Sequence, residues 1–177
     1  PDGNTAANVT LENAGGQKTT VSVPPRQVST LLPASIGFPD QSLQFSGIAN
    51  KAYRLTSDRP IVAYQFNPAS NLAPTNDASL LLPAHTFDKH YYVLGYPSHV
   101  RRPSFHDFPA YVTIVASAAG MTNITVNSTV AIKRGDGVEA FGPGEKDFTL
   151  AQWQTLTLQA AGGGDLSGTP VARTDHA

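Results

Sequence analysis

The sequence contains no cysteine. That one absence excludes disulfides, zinc–thiolate and iron–sulfur sites, and thiol nucleophiles together. A chain of 177 residues is long enough to bury a core without cross-links. Charge is scarce too. Asp, Glu, Lys and Arg make up 14% of the chain, against an ordinary share of ~25%. The surface must therefore be built from Ser, Thr, Asn and Gln, a composition of extracellular β-proteins rather than cytosolic enzymes. The net charge of −1 gives no electrostatic footprint for nucleic acid or an anionic membrane. No run approaches the ~18 apolar residues of a membrane span, and nowhere does a helical period persist. No G-x-S-x-G elbow occurs, and Gly162-Gly163-Gly164 is not followed by the Lys-Ser/Thr of a phosphate loop. The chain opens at Pro1-Asp2-Gly3 with no signal peptide in view, as expected of the interior of a longer precursor or of a trimmed chain.

Turn formers are plentiful. Glycine (15) and proline (14) together make about 16% of the chain against a usual ~12%. Short apolar runs between these turns alternate with a period of two. Asn8–Asn13 and Thr19–Val23, on either side of Ala14-Gly15-Gly16, predict a β-hairpin. Val28–Leu32 and Leu43–Phe45 predict two further short strands. The stretch Leu55–Pro83 is expected to organise the rest. Its turn Thr56-Ser57-Asp58-Arg59-Pro60 leads into Ile61–Phe66, apolar on both sides and rich in β-branched and aromatic residues. That pattern predicts a central strand covered above and below. Ala69–Thr75 reads as a loop and Ala78–Leu82 as a strand. His90–Tyr96 predicts a strand with Tyr92, Leu94 and Tyr96 on one face and Tyr91 and Val93 on the other. Tyr111–Ala116 follows. Thr122–Val126 turns Ile124 and Val126 inward and Asn123, Thr125 and Asn127 outward. Val130 and Ile132 predict another strand. Phe148–Leu158 predicts two strands with Trp153 at the bend.

The expected fold is all-β: an antiparallel, sandwich-like arrangement of one or two related modules. The expected divisions are an N-terminal hairpin and strands over 1–45, a main module over 46–160, and a C-terminal strand or the start of a truncated repeat over 161–177. The repeat rests on an echo of Arg26–Leu32, Ser46-Gly47 and Thr56-Ser57-Asp58 in Trp153–Gln159, Ser167-Gly168 and Thr174-Asp175.

An ordered succession of segments carries a family resemblance. TSDRPIVAYQFNP, SNLAPTNDASLLLP, YYVLGYP, AYVTIVA with TNITV, DFTLAQWQTLTLQ and GDLSGT lie between Thr56 and Thr169, within a likeness that runs from about Ser46 to Thr174. Together they resemble the IgGFc-binding protein N-terminal domain family, most closely the versions in large secreted proteins of myxobacteria and related bacteria. The resemblance implies a repeated β-rich extracellular module within a larger surface or mucus protein. It supplies no catalytic residues. Immunoglobulin Fc binding is not carried over, because the vertebrate relatives are cysteine-rich and this chain is not.

Candidate chemistry is correspondingly thin. His85, Asp88, His90, His99, His106 and Asp107 form the richest cluster, from which His90 and His99, with Asp77, are candidate metal ligands. No helical i, i+4 ligand pair occurs, so exposed loop histidines flanking a strand are the plainer expectation. Asn76, Asp77 and Asp58 could offer oxygens to calcium, but Asx residues in turns ordinarily bond backbone donors. Asn8, Asn123 and Asn127 begin N-x-S/T sequons. Tyr91, Tyr92 and Tyr96, with Arg101, are the candidate contacts for a protein or glycan ligand, although strand tyrosines ordinarily fill half-buried positions. The expectation is a non-enzymatic, secreted or cell-surface module with no cofactor and no membrane span. Its partner would be a protein or glycan, or its own edge strands in a surface assembly.

Overall fold

A computed structural model describes residues 4–67, 77–99 and 108–174. Among these the strands run, in chain order, β1 (Ala7–Asn13), β2 (Lys18–Val23), β3 (Gly47–Ala49), β4 (Tyr53–Ser57), β5 (Tyr64–Asn67), β6 (Asp77–Leu80), β7 (His90–Tyr92), β8 (Tyr111–Val115), β9 (Met121–Ser128), β10 (Gly144–Ala151), β11 (Thr155–Gln159) and β12 (Pro170–Arg173). Only two short 3-10 turns, Pro33–Ile36 and Ala84–Thr86, interrupt them. The chain is all-β, and every register between paired strands that the structure defines is antiparallel.

The chain divides into two compact units, one from residues 1–39 and 54–87, the other from 40–53 and 88–177. In the first unit, β1 and β2 form the hairpin that their alternation dictates, with Val9 opposite Val21. Ala7, Val9 and Leu11 are buried while Asn8 is exposed. The turn is locked by Asn13, whose side chain donates to Gln17 Oε1 (2.8 Å) and accepts from Gln17 N (3.0 Å). The sheet order is β2-β1-β4. Asp58, just past β4, ties back to β1: its carboxylate accepts the backbone N–H of Asn8 (2.8 Å) and the Asn8 side-chain amide (2.9 Å).

Three sequence expectations are corrected in these early segments. Ile61–Phe66 is not a central strand covered on both faces. Only its end is strand, in the two-stranded ribbon β5-β6, and Val62, Tyr64 and Phe66 are exposed. A run apolar on both faces records what both faces could bury, not that both are covered. Val28–Leu32 is not a strand: it lies between Pro25 and Pro33, and Val28 is 95% exposed. Leu43–Phe45 is not one either. Phe45 has φ +63°, a left-handed backbone that breaks extension, and the strand begins only at Gly47.

The second unit holds the larger core. A sheet ordered β3-β11-β8 and another ordered β10-β9-β12-β7 contribute to one buried cluster, the arrangement of a sandwich. Ile124, Val126, Phe148 and Leu150 come from the second sheet and Leu156 and Leu158 from the first, with Ile132, Val138 and Leu166 filling between. Phe141 leans on Phe148, ring centroids 6.1 Å apart. Each fully buried leucine is worth roughly 1.5–3 kcal/mol of transfer free energy.

β11 is buried on both faces. Leu156 and Leu158 face the cluster, while Thr155 and Thr157 lie on the other face with satisfied hydroxyls: Thr155 donates to the Ala49 carbonyl (3.0 Å) and Thr157 meets Thr113 (3.2 Å). The inward Ile124 and Val126 and the outward Asn123, Thr125 and Asn127 are as the alternation requires. Trp153 does sit at the bend between β10 and β11, at φ +66°. Val130 and Ile132 form no strand of their own; Ile132 makes isolated bridges to Phe141 and Ala160.

Candidate functional site

The surface that stands out is the free side of β7. β7 is the last strand in its sheet order. The strand expected over His90–Tyr96 is shorter, ending at Tyr92, and Val93 to Gly95 continue along β12 and the segment before it with hydrogen bonds to that side. Arg173 N donates to Lys89 O (2.7 Å), Val93 N to Thr169 O (3.0 Å), Gly168 N to Val93 O (2.8 Å) and Gly95 N to Ser167 Oγ (3.1 Å). In an extended chain, successive residues turn their backbone groups to opposite sides. Since 89, 93 and 95 face β12 and the segment before it, His90, Tyr92, Leu94 and Tyr96 face away. Pro170, which lacks an N–H, lies directly opposite Tyr92, where the ladder requires no donor. Among the described residues nothing bonds the outward backbone groups.

The side chains follow the same alternation. Tyr92 is 77% exposed, Leu94 94% and Tyr96 89%. Val93, pointing the opposite way, packs against the core cluster. The tyrosines at 92 and 96 therefore do not fill the core edge, the ordinary fate of strand tyrosines. Tyr91 is half-exposed, and its hydroxyl accepts the backbone N–H of Asp88 (2.7 Å), so it braces the start of the strand. Leu94, at two-residue spacing between Tyr92 and Tyr96, shares their exposed face and joins the candidate contacts. Arg101 lies outside the described residues.

Of the candidate metal ligands, His90 begins β7 and His99 makes an isolated bridge to Phe108. Asn76, His106, Asp107 and the side chain of Asp77 lie outside the described residues. Among the described residues no group of three or more His, Asp or Glu side chains is placed to hold a metal. Asp58 is committed to Asn8, and those hydrogen bonds hold its carboxyl below the usual range. Asp40 is lowered in the same way by the backbone and hydroxyl of Ser42. Tyr53 is raised by burial and by the nearby Asp40 charge. Each of these shifts belongs to a local fold contact.

Two further features were invisible in the sequence. Val62, Tyr64, Phe66, Leu80 and Leu82 are exposed on the β5-β6 ribbon, with Tyr64 directly opposite Leu80. In the second unit a half-open recess beside β3 is lined by Phe45, Ile48, Lys51, Arg134, Asp136 and Thr157 among others. Lys51 already donates to the Ser42 carbonyl there.

The family model described as IgGFc binding protein matches residues 77–176, which takes in β6 and all of β7 to β12. No curated protein and no solved structure matches the chain.

Proposed function

The chain belongs to the IgGFc-binding protein family, and from that premise we propose that it is a non-enzymatic extracellular or cell-surface module that recognises protein or glycan through the segment 90–96. The observation that carries this reading is the row Tyr92, Leu94 and Tyr96, strongly exposed at the end of β7 and just past it, where among the described residues nothing bonds the outer backbone groups. Tyrosine offers a rigid, amphipathic surface at low entropic cost, suited to protein contacts and to stacking on sugars. An open strand edge adds main-chain hydrogen bonds to an extended partner segment, which favours protein over glycan. The reading as non-enzymatic is supported by the way carboxylates are used: Asp58, Asp40 and Asp165 accept backbone N–H groups of Asn8, Ser42 and Ser167.

A second reading, a structural subunit joined to neighbours in a surface assembly, draws on the same bare edge. Lys and Pro, which ordinarily blunt such edges, are absent between His90 and Tyr96.

Immobilised immunoglobulin Fc, the ligand of the family's name, and mucin-type glycans are the first probes. The recognition reading predicts binding to one of them that falls at least tenfold, about 1.4 kcal/mol, in Tyr92→Ser/Leu94→Ser/Tyr96→Ser with thermal unfolding unchanged. Binding that survives the triple substitution assigns the contact elsewhere and overturns the reading.

A further inference from the structure

We propose that the partner of the 90–96 edge is the same segment in a second copy of this chain, paired antiparallel about a two-fold axis through Val93. The inference rests on the reading of that edge as the contact surface and names its occupant. In this register Tyr92 faces Leu94 of the other copy and His90 faces Tyr96, each twice. All four residues whose backbone groups point outward then meet outward-pointing residues. Each facing pair exchanges two hydrogen bonds, so about eight form across the axis. Neighbouring registers are poorer. Moving the axis to Tyr92 sets Tyr96 against Asp88, whose N–H is held by the Tyr91 hydroxyl. Moving it to Leu94 sets His90 against Ser98, whose N–H is held by the Gly164 carbonyl.

Charge agrees with a self-paired edge. The segment 90–96 carries no Asp, Glu, Lys or Arg, so two copies do not repel. Lys89 and Pro97, residue types that stop strand addition, bound it at either end. Tyr92, Leu94 and Tyr96 expose nearly their whole surfaces. Pairing at the edge covers the flanks of these side chains and leaves their outer faces in solvent, so the contact rests on the hydrogen-bond ladder and the facing pairs. Aromatic–aliphatic cross-strand pairs add to the ladder. The product is one sheet, β10-β9-β12-β7 continued into its symmetry mate, closed at two copies.

Sedimentation of the full chain from about 1 to about 500 μM tests this, a range suited to a small interface. The expected result is a mass rising from one chain to two and stopping there. Leu94→Pro should abolish the rise, because it removes an outward N–H without touching the β12 ladder, and edge positions tolerate proline. Tyr92→Lys should do the same by placing a charge on the edge, which covers the case in which the proline variant does not fold. A mass that stays at one chain overturns the inference and leaves the recognition reading standing if Fc or glycan binding still depends on the tyrosine row. A dimer that persists in both variants, or growth beyond two copies, overturns the two-fold pairing.

Discussion

Gly135 approaches Ser46 so closely that a Cβ at 135 would lie 1.6 Å from the Ser46 carbonyl oxygen. The contact is backbone to backbone, so neither side yields cheaply. Gly135→Ala should destabilise the second unit by about 2 kcal/mol or more. Gly142→Ala, where nothing lies within 4 Å, should be close to neutral; denaturant midpoints of the two variants check this. Thr122 poses the opposite case. It is buried, and its hydroxyl has no partner among the described residues. Thr122→Val keeps the shape and removes an unsatisfied polar atom, so it should leave stability unchanged or raise it by about 1 kcal/mol, read from the same midpoints. Asp58 adds a pH dependence. Its folded pKa is depressed by the Asn8 hydrogen bonds, so its contribution is present above the unfolded value of about 3.9 and is lost as pH falls through the folded one. Wild-type stability should drop below about pH 4 more steeply than that of Asp58→Asn. Equal slopes in acid-titrated unfolding would contradict the Asn8–Asp58 link.

Among the elements, β11 and the β5-β6 ribbon form a contrast. Leu158 is fully buried, and Leu158→Ala should cost about 2–5 kcal/mol. Val62→Ser on the exposed ribbon should change stability by less than about 0.5 kcal/mol. Thermal unfolding of the two variants separates them. The same contrast marks what sequence could reveal. β9, β10 and β11 were legible because alternation and the Trp153 bend are local properties. The status of Ile61–Phe66 was not, because two-sided apolarity is equally consistent with a covered strand and with a ribbon that presents one face to solvent. Val28–Leu32 and Leu43–Phe45 show the converse failure. Their composition suits a strand, but a strand exists only where another pairs with it.

At the scale of the whole molecule, the second unit has the larger buried cluster, and its sheets are assembled from strands distant in sequence. That is why the candidate site was only half legible. The tyrosines were visible as residues, yet their exposure depends on β7 being an edge, and β7 is an edge because β12 pairs between it and β9. No local pattern contains that order. The family match over residues 77–176 covers these strands, so the edge is part of the domain that defines the family. The account depends on this edge being bonded on one side and open on the other. Residue-resolved amide exchange of the dilute chain tests it most directly. Slow exchange at Val93 and Gly95 alternating with fast exchange at Tyr92, Leu94 and Tyr96 is the predicted result. Uniform protection, or uniform loss of it, across 92–96 would contradict the account.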